Sequence, residues 1–501
     1  MTEPTATLDR PGEDDPAAAA NPHHSRRWLI LVVIGLAQLM VVLDATVVNI
    51  ALPSAQVDLG FSNDARQWVV TAYALAFGSL LLLGGRLADL FGRKTALLVG
   101  LAGFAAVSAI GGAASSIEML LIARAAQGVF GALLAPAALS LLTTTFTDPK
   151  ERGRAFGVFG AIGGGGAAIG LLLGGVLTEY LDWRWCMFVN IFFAGIAFVG
   201  GVLLLRRQES EGPRPKLDLP GTITASAGLF ALVYGFSNAE HNSWSSASVW
   251  GFLVVGLLLL ATFVALQQRV RHPLLPLRVL LDRDRGGSYV AMFLLAIGMF
   301  AIFLFLTFYV QQNLQFTPIQ SGFGFLPMVA TLMLSATTAT SVLLPRFGPK
   351  PLVPTGMVIA AVGMFWLSGI DLDSTYAGGV LGPLMVMGLG IGLSMAPAMS
   401  VATLGVATHD AGVASATVNT MQQVGGSIGT ALLSTLASNA AASFVVGRAP
   451  TPQLAAEAAV HSYTTAFTWA GVIFAAGAVV TGLLLRPGVP AQQSTTTTVH
   501  M

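Results

Sequence analysis

Residues 84–94 read G-G-R-L-A-D-L-F-G-R-K, a charged turn held between two apolar stretches, 67–85 and 95–114. Neither stretch contains Asp, Glu, Lys or Arg, and each approaches the roughly 20 residues that a helix needs to cross a hydrocarbon layer. Gly85 and Gly92 allow a tight reversal between two helices. Asp89, Arg93 and Lys94 can pair with one another and with the ends of neighbouring helices. A basic anchor that only sets topology is the simpler reading of such a turn. The combined spacing of glycines, acid and bases is more specific than that role requires.

Working outward, apolar runs of similar length recur along the whole chain. Fourteen spans can be drawn, at 28–50, 67–85, 95–114, 119–142, 155–177, 186–205, 219–237, 248–267, 288–311, 321–344, 352–370, 377–398, 414–437 and 464–485. The span 219–237 is the weakest, because it carries Thr222, Thr224, Ser226 and Tyr234. The chain is 54% hydrophobic and only 10% charged, whereas soluble domains carry about 25% charged residues. An all-α integral membrane protein follows. The net charge of +1 supplies no field that would attract nucleic acid. The single cysteine, Cys186, excludes an intrachain disulfide framework or a thiolate metal cluster. Residues 1–27 and 487–501 read as disordered tails. The first apolar run is too long for a signal-peptide core and lacks a cleavage pattern, so it is expected to be a retained span.

The basic residues test this layout independently. With a cytoplasmic N-terminus, only Arg66, Arg184 and Arg448 fall in outer loops and Arg124 lies inside a span; all the others fall on the cytoplasmic side. So strong a bias predicts an even number of spans, both termini in the cytoplasm, and a multi-pass protein of the cell (inner) membrane.

The chain also repeats itself. Gly153, Ala155, Gly166 and Gly170 are echoed by Gly412, Ala414, Gly425 and Gly429, and Phe91-Gly92-Arg93-Lys94 returns as Phe347-Gly348-Pro349-Lys350. Two related six-helix bundles are predicted, at 28–206 and 287–486, with 207–286 supplying two extra linker helices that keep the second bundle in the orientation of the first.

One acid breaks the apolar pattern. The stretch 43–53, L-D-A-T-V-V-N-I-A-L-P, places Asp44 within the first span, where an acid costs about 2.5–3.5 kcal/mol and a partner is expected. The fourth span carries L-I-A-R-A-A-Q-G-V-F-G-A at 121–132, and Arg124 is the only basic residue inside any span. A guanidinium keeps its proton and must be compensated. Both residues lie about six positions, some 9 Å, below the outer surface of the spans as drawn. They are expected to pair or to share a water. A static ion pair that only fixes helix packing is one reading. Proton coupling is the other: burial favours the neutral acid and a nearby guanidinium the carboxylate, so a conformational change that alters either drives proton uptake or release.

Residues 84–94 resemble the signature loop of the major facilitator superfamily, and the weaker copy at 347–350 fits the duplicated halves of that family. The resemblance covers roughly residues 28–486. It implies the major facilitator fold and gives Gly85, Asp89, Gly92, Arg93 and Lys94 a role in gating. The form of 43–53 is similar to the first-span motif of the 14-span drug:proton antiporter branch, and the resemblance assigns Asp44 and Arg124 to proton coupling. Residues 163–175, G-G-G-G-A-A-I-G-L-L-L-G-G, resemble the exporters' antiporter motif, with Leu171 where the family has proline. Gly166, Gly170, Gly174 and Gly175 would form a surface against which another helix packs or slides. The stretch 183–190, W-R-W-C-M-F-V-N, also resembles this branch, although Phe192 stands where it has proline.

Candidate substrate contacts are Gln38, Tyr73, Tyr309, Gln312, Asn419 and Gln423, each of which can equally serve as an interhelical hydrogen bond. The resemblance implies a transporter and not an enzyme: proton-coupled export of hydrophobic or amphipathic drugs or antibiotics, with protons and membrane lipids as its other partners. No cofactor or metal is expected, since the sequence contains no G-x-x-x-x-G-K phosphate loop and no histidine or acidic cluster of metal-binding spacing. An exporter of a lipid or endogenous metabolite, a proton-independent facilitator and a non-transporting membrane sensor are the rival readings.

Overall fold

The computed structural model describes residues 26–146, 149–205, 218–242, 246–270, 273–275, 277–403, 406 and 411–488. The two expected tails, apart from Arg26, Arg27, Pro487 and Gly488, lie outside the described residues, as does the loop 206–217. Within them the long elements are all helices: α1 Arg27–Leu59, α2 Asn63–Phe91, α3 Arg93–Gly112, α4 Ile117–Thr145, α5 Pro149–Tyr180, α6 Trp185–Leu204, α7 Leu219–Asn242, α8 Ala247–Gln267, α9 Arg283–Asn313, α10 Pro318–Phe347, α11 Pro349–Leu367, α12 Tyr376–Thr403, α13 Ala411–Val445 and α14 Pro452–Leu484. Twelve helices among the described residues are long and apolar enough to cross a membrane; α2 and α5 are the long helices outside that count, the latter with only Ala168–Tyr180 as an apolar segment. Successive helices reverse direction. We call the end of the bundle at Arg27 proximal and the end at Leu59 distal.

Helix ends follow local chemistry. Ser62, Ser116, Asp282 and Thr451 cap α2, α4, α9 and α14 by accepting a backbone N–H of the first turn. Thr317 and Gln320 form a reciprocal capping box at α10. The first helix outruns its expected end at residue 50: it continues through Pro53 to Leu59 and stops where Gly60 takes φ +65° and donates to the Gln56 carbonyl. A proline inside a buried membrane helix removes one hydrogen bond without ending it. The glycine turn of the signature loop is duplicated in space, with Gly92 at φ +91° between α2 and α3 and Gly348 at φ +74° between α10 and α11.

The duplicated sequence corresponds to duplicated packing. In the first half α5 lies on α1, with Gly166 facing Leu39 and Val42, Gly170 facing Thr46 and Gly174 facing the Val47 backbone. In the second half α13 lies on α9 in the same manner, Gly425 against Phe293 and Gly429 against Ile297. The C-terminal half alone contains π-type turns, in α9, α10 and α12, among the described residues.

Toward the distal end the two halves share one large hydrophobic core. Leu43, Val47, Ile50 and Leu52 of α1 belong to the same buried cluster as Leu295, Phe305, Met364 and Phe467 of the second half. The proximal residues Ile30, Ile34, Leu97, Phe104 and Leu142 form a separate cluster confined to the first half. Distal closure is tight: a β-carbon on Gly175 of α5 would stand 2.6 Å from the Ile319 Cα of α10, and one on Gly322 of α10 would stand 2.6 Å from the Leu171 carbonyl oxygen. Gln311 also donates to the Ile50 carbonyl at 3.2 Å. On another side of the molecule α7 covers the seam between α2 and α13, where Leu229 and Val233 pack with Leu75, Val424 and Ile428.

Candidate functional site

Asp44 faces the interior of the first half near the midpoint of α1, with no exposed surface. The sequence leaves open whether it touches Arg124, and the structure answers: Arg124 Nη1 lies 2.6 Å from Asp44 Oδ2, and the guanidinium is 2% exposed. Two neutral amides complete the carboxylate. Gln127 Nε2 donates to Oδ1 at 3.0 Å and Asn190 Nδ2 donates to the same oxygen at 2.8 Å.

The three donors come from two helices, Arg124 and Gln127 from α4 and Asn190 from α6. Gln127 is three residues after Arg124 on α4, which places both on one face. There Arg124 Nη1 also donates to Gln127 Oε1 at 2.8 Å, while Arg124 Nε donates to the Val69 carbonyl of α2 at 3.1 Å. Gln127 Nε2 is shared with Ser108 Oγ of α3 at 2.8 Å. The Arg124 Cζ stands 4.5 Å from the centre of the Tyr73 ring of α2, a cation–π contact. Five helices of the N-terminal half thus converge on one carboxylate. An isolated ion in a low-dielectric interior would be severely penalised, and here charge neutralisation is combined with nearly complete hydrogen bonding. An ionised carboxylate can only accept hydrogen bonds, whereas a protonated one must also donate.

The chain has near-full-length relatives among known proteins. The description of the Major Facilitator Superfamily matches residues 34–430. The chain belongs to the major facilitator superfamily. It is 48% identical over 481 residues to the puromycin resistance protein pur8 of Streptomyces alboniger, covering 96% of this chain and 95% of that one. It is 38% identical over 450 residues to the cephamycin export protein CmcT of Amycolatopsis lactamdurans, covering 89% and 90%. Among solved structures, a bacterial homologue of the human lysosomal transporter Spinster shares the fold, with a TM-score of 0.64, 14% identity and coverage of 91% and 96%.

In the superfamily loop, Gly92 provides the positive φ expected of it, and Lys94 Nζ donates to the Val202 carbonyl at 3.1 Å and to the Leu205 carbonyl. The start of α3 is thereby tied to the end of α6. The Asp89 side chain lies outside the described residues, and Gly85 packs near Pro136 of α4. Of the glycines singled out from the sequence, Gly166, Gly170 and Gly174 serve contacts within the first half, whereas Gly175 faces α10 of the second. Helix α5 passes through Leu171 without interruption, and Leu171 is fully buried.

The proposed substrate contacts divide. Tyr73 joins the Asp44 cluster through Arg124. Tyr309 is fully buried and donates to the Asp371 carbonyl at 2.8 Å, and Gln312 accepts from the Tyr463 hydroxyl at 3.2 Å, so both act as helix-to-helix ties at the distal end. Asn419 and Gln423 lie on α13, where Gln423 packs against Gly78 of α2 and its Oε1 is buried without a partner. Gln38 is half-buried on α1 and is not part of the cluster.

Three members of the site were not singled out from sequence. Gln127 lies inside the quoted 121–132 stretch and Asn190 closes the quoted 183–190 stretch; Ser108 is the only polar side chain in 96–114. A search for amides and hydroxyls isolated in apolar spans would have found all three.

Proposed function

We propose that this protein exports hydrophobic or amphipathic antibiotics across the cell membrane in exchange for protons. The export reading rests on similarity along nearly the whole chain to proteins named for puromycin resistance and cephamycin export. The coupling reading rests on one observation, the fully buried Asp44 carboxylate in direct contact with Arg124. Proton uptake at Asp44 would weaken that pair while Gln127, Val69 and the Tyr73 ring still hold the guanidinium, so the charge change can be passed on to helix packing without leaving Arg124 bare.

On this reading the chain has fourteen spans, since 67–85 and 155–177 also lack charged residues. The halves extend over 28–206 and 287–486 with the linker pair between them, and both termini face the cytoplasm. The positive-inside bias makes the distal end the outer one. The shared distal core then closes the outer side, and alternating access proceeds by rocking the halves about the central region. Asp89, Arg93 and Lys94 would act at the inner side as that motion occurs.

The test uses puromycin as probe. In proteoliposomes, Asp44→Asn is expected to abolish puromycin transport driven by a pH gradient while puromycin binding persists. Undiminished gradient-driven transport would remove Asp44 as the proton carrier.

A further inference from the structure

The Asp44 cluster contains a buried polar atom with no partner. Asn190 has no exposed surface, and its Nδ2 donates to Asp44 Oδ1 at 2.8 Å, yet its Oδ1 accepts no hydrogen bond. The neighbouring amide is in the opposite situation. Gln127 Oε1 is taken by Arg124, and Nε2 by Asp44 and Ser108, so it cannot turn over without losing its bonds to Arg124 and Asp44. A buried amide oxygen left without a donor is costly, and its presence beside a titratable carboxylate calls for an explanation.

We propose that Asn190 Oδ1 is the acceptor of the Asp44 O–H when Asp44 is protonated. The inference rests on the reading of Asp44 as proton carrier. The proton comes from water on the side to which the cluster is exposed, and a new O–H bond forms on the carboxylate. Asn190 neither gains nor loses a proton. Half a turn about its Cβ–Cγ bond exchanges a donor for an acceptor toward Asp44. In the ionised state the amide presents N–H to the carboxylate; in the protonated state it presents C=O. Asn190 is thus a positioning residue that lets one site satisfy both protonation states. The other titratable or charged groups near the carboxylate are Arg124 from α4, Tyr73 from α2 and Cys186 from α6. Arg124 is a donor only, and the Cys186 sulfur is engaged with Thr178 and the Gly174 carbonyl.

Infrared difference spectra between alkaline and acidic pH, recorded on the purified full-length protein, test this. The carboxylic-acid C=O band that is lost in Asp44→Asn belongs to Asp44. In Asn190→Leu that band should persist but move to higher wavenumber, as the O–H loses its acceptor, and gradient-driven puromycin efflux should fall about tenfold, the equivalent of one buried hydrogen bond. Asn190→Ala should give the same displacement and serves if the leucine variant does not accumulate. Asn190→Thr keeps a hydroxyl acceptor and should hold the band near its original position. A purely structural role would not separate alanine from threonine in this readout. An Asp44 band unmoved in Asn190→Leu or Asn190→Ala overturns the inference and leaves Asp44 as carrier; the absence of any band lost in Asp44→Asn overturns the carrier reading itself.

Discussion

Glu179 Oε2 accepts a hydrogen bond at 3.0 Å from the backbone N–H of Ile319, so the last turn of α5 caps the first turn of α10 across the boundary between the two halves. The α10 capping box already uses the Thr317 and Gln320 backbone amides, and the Ile319 amide is one of the donors that a helix leaves open at its start. A carboxylate there gains from the helix dipole as well as from the bond. Gly175 and Gly322 bring the two backbones close enough for it to reach.

Glu179→Ala should therefore loosen the distal closure. Loss of about 1 kcal/mol corresponds to roughly a fivefold shift of population toward separation of the halves at that end. Spin labels at Tyr180 and Leu372, both exposed at the distal end, would report it as a broader and longer distance distribution. The only native cysteine, Cys186, is buried and does not compete for label. A distribution identical to that of the parent would remove Glu179 as a latch.

Arg124→Lys is not a conservative change here. The guanidinium addresses the Val69 carbonyl through Nε and both Asp44 and Gln127 through Nη1, a fixed geometry that one ammonium at the end of a flexible stem does not reproduce. Gradient-driven efflux is expected to fall at least about tenfold, the loss of one charge-assisted hydrogen bond. Arg124→Ala leaves the carboxylate buried and uncompensated, with a loss of stability of about 3–5 kcal/mol. Thermal unfolding in detergent and transport in proteoliposomes separate the two effects. Equal stability of the alanine variant and the parent would show that the pair is structurally dispensable.

Much of the fold was legible because a membrane imposes simple rules. A lone acid and a lone base in apolar spans had to compensate each other, and Asp44 and Arg124 do. The repeated Phe-Gly element at 91–92 and 347–348 gave the duplication, and both glycines adopt positive φ. What stayed hidden depended on rotation about helix axes and on exact ends. Asn190 and Gln127 look like ordinary span amides until α4 and α6 are turned toward α1. Tyr309 and Gln312 could be read equally as cavity residues or as interhelical ties, because sequence gives depth but not the direction a side chain faces. The first span as drawn stopped at residue 50, where the apolar run is long enough to cross, whereas the helix runs on through Pro53 to Leu59.

The glycine row on α5 offers an internal control. A β-carbon on Gly170 collides with Thr46 Oγ1, and Thr46 is itself pinned to the Val42 and Leu43 carbonyls, beside Asp44. Gly165 has open space at the corresponding position. Gly170→Val should destabilise the protein by about 1–3 kcal/mol through overpacking and should impair transport by displacing α1. Gly165→Ala should be neutral or slightly stabilising, since alanine favours the helix. Similar melting temperatures for the two variants would contradict the packing described for α1 and α5.

The duplicated turn makes a sharper demand. Gly92 has φ +91° and ψ 138°, and Gly348 has φ +74° and ψ 177°, in a region that L-residues avoid; forcing alanine into it costs of order 1–3 kcal/mol. At Gly92 a β-carbon would meet nothing within 4 Å, so the strain there is conformational. Gly92→Ala and Gly348→Ala should accordingly lower the melting temperature by comparable amounts. Only the first turn carries the Arg93-Lys94 pair, since Pro349 replaces the arginine in the second. Efflux normalised to folded protein should therefore fall further in Gly92→Ala than in Gly348→Ala. Equal normalised efflux would mean that the two turns are both merely structural, and a stable Gly348→Ala would mean that the likeness of the two turns does not extend to their energetics.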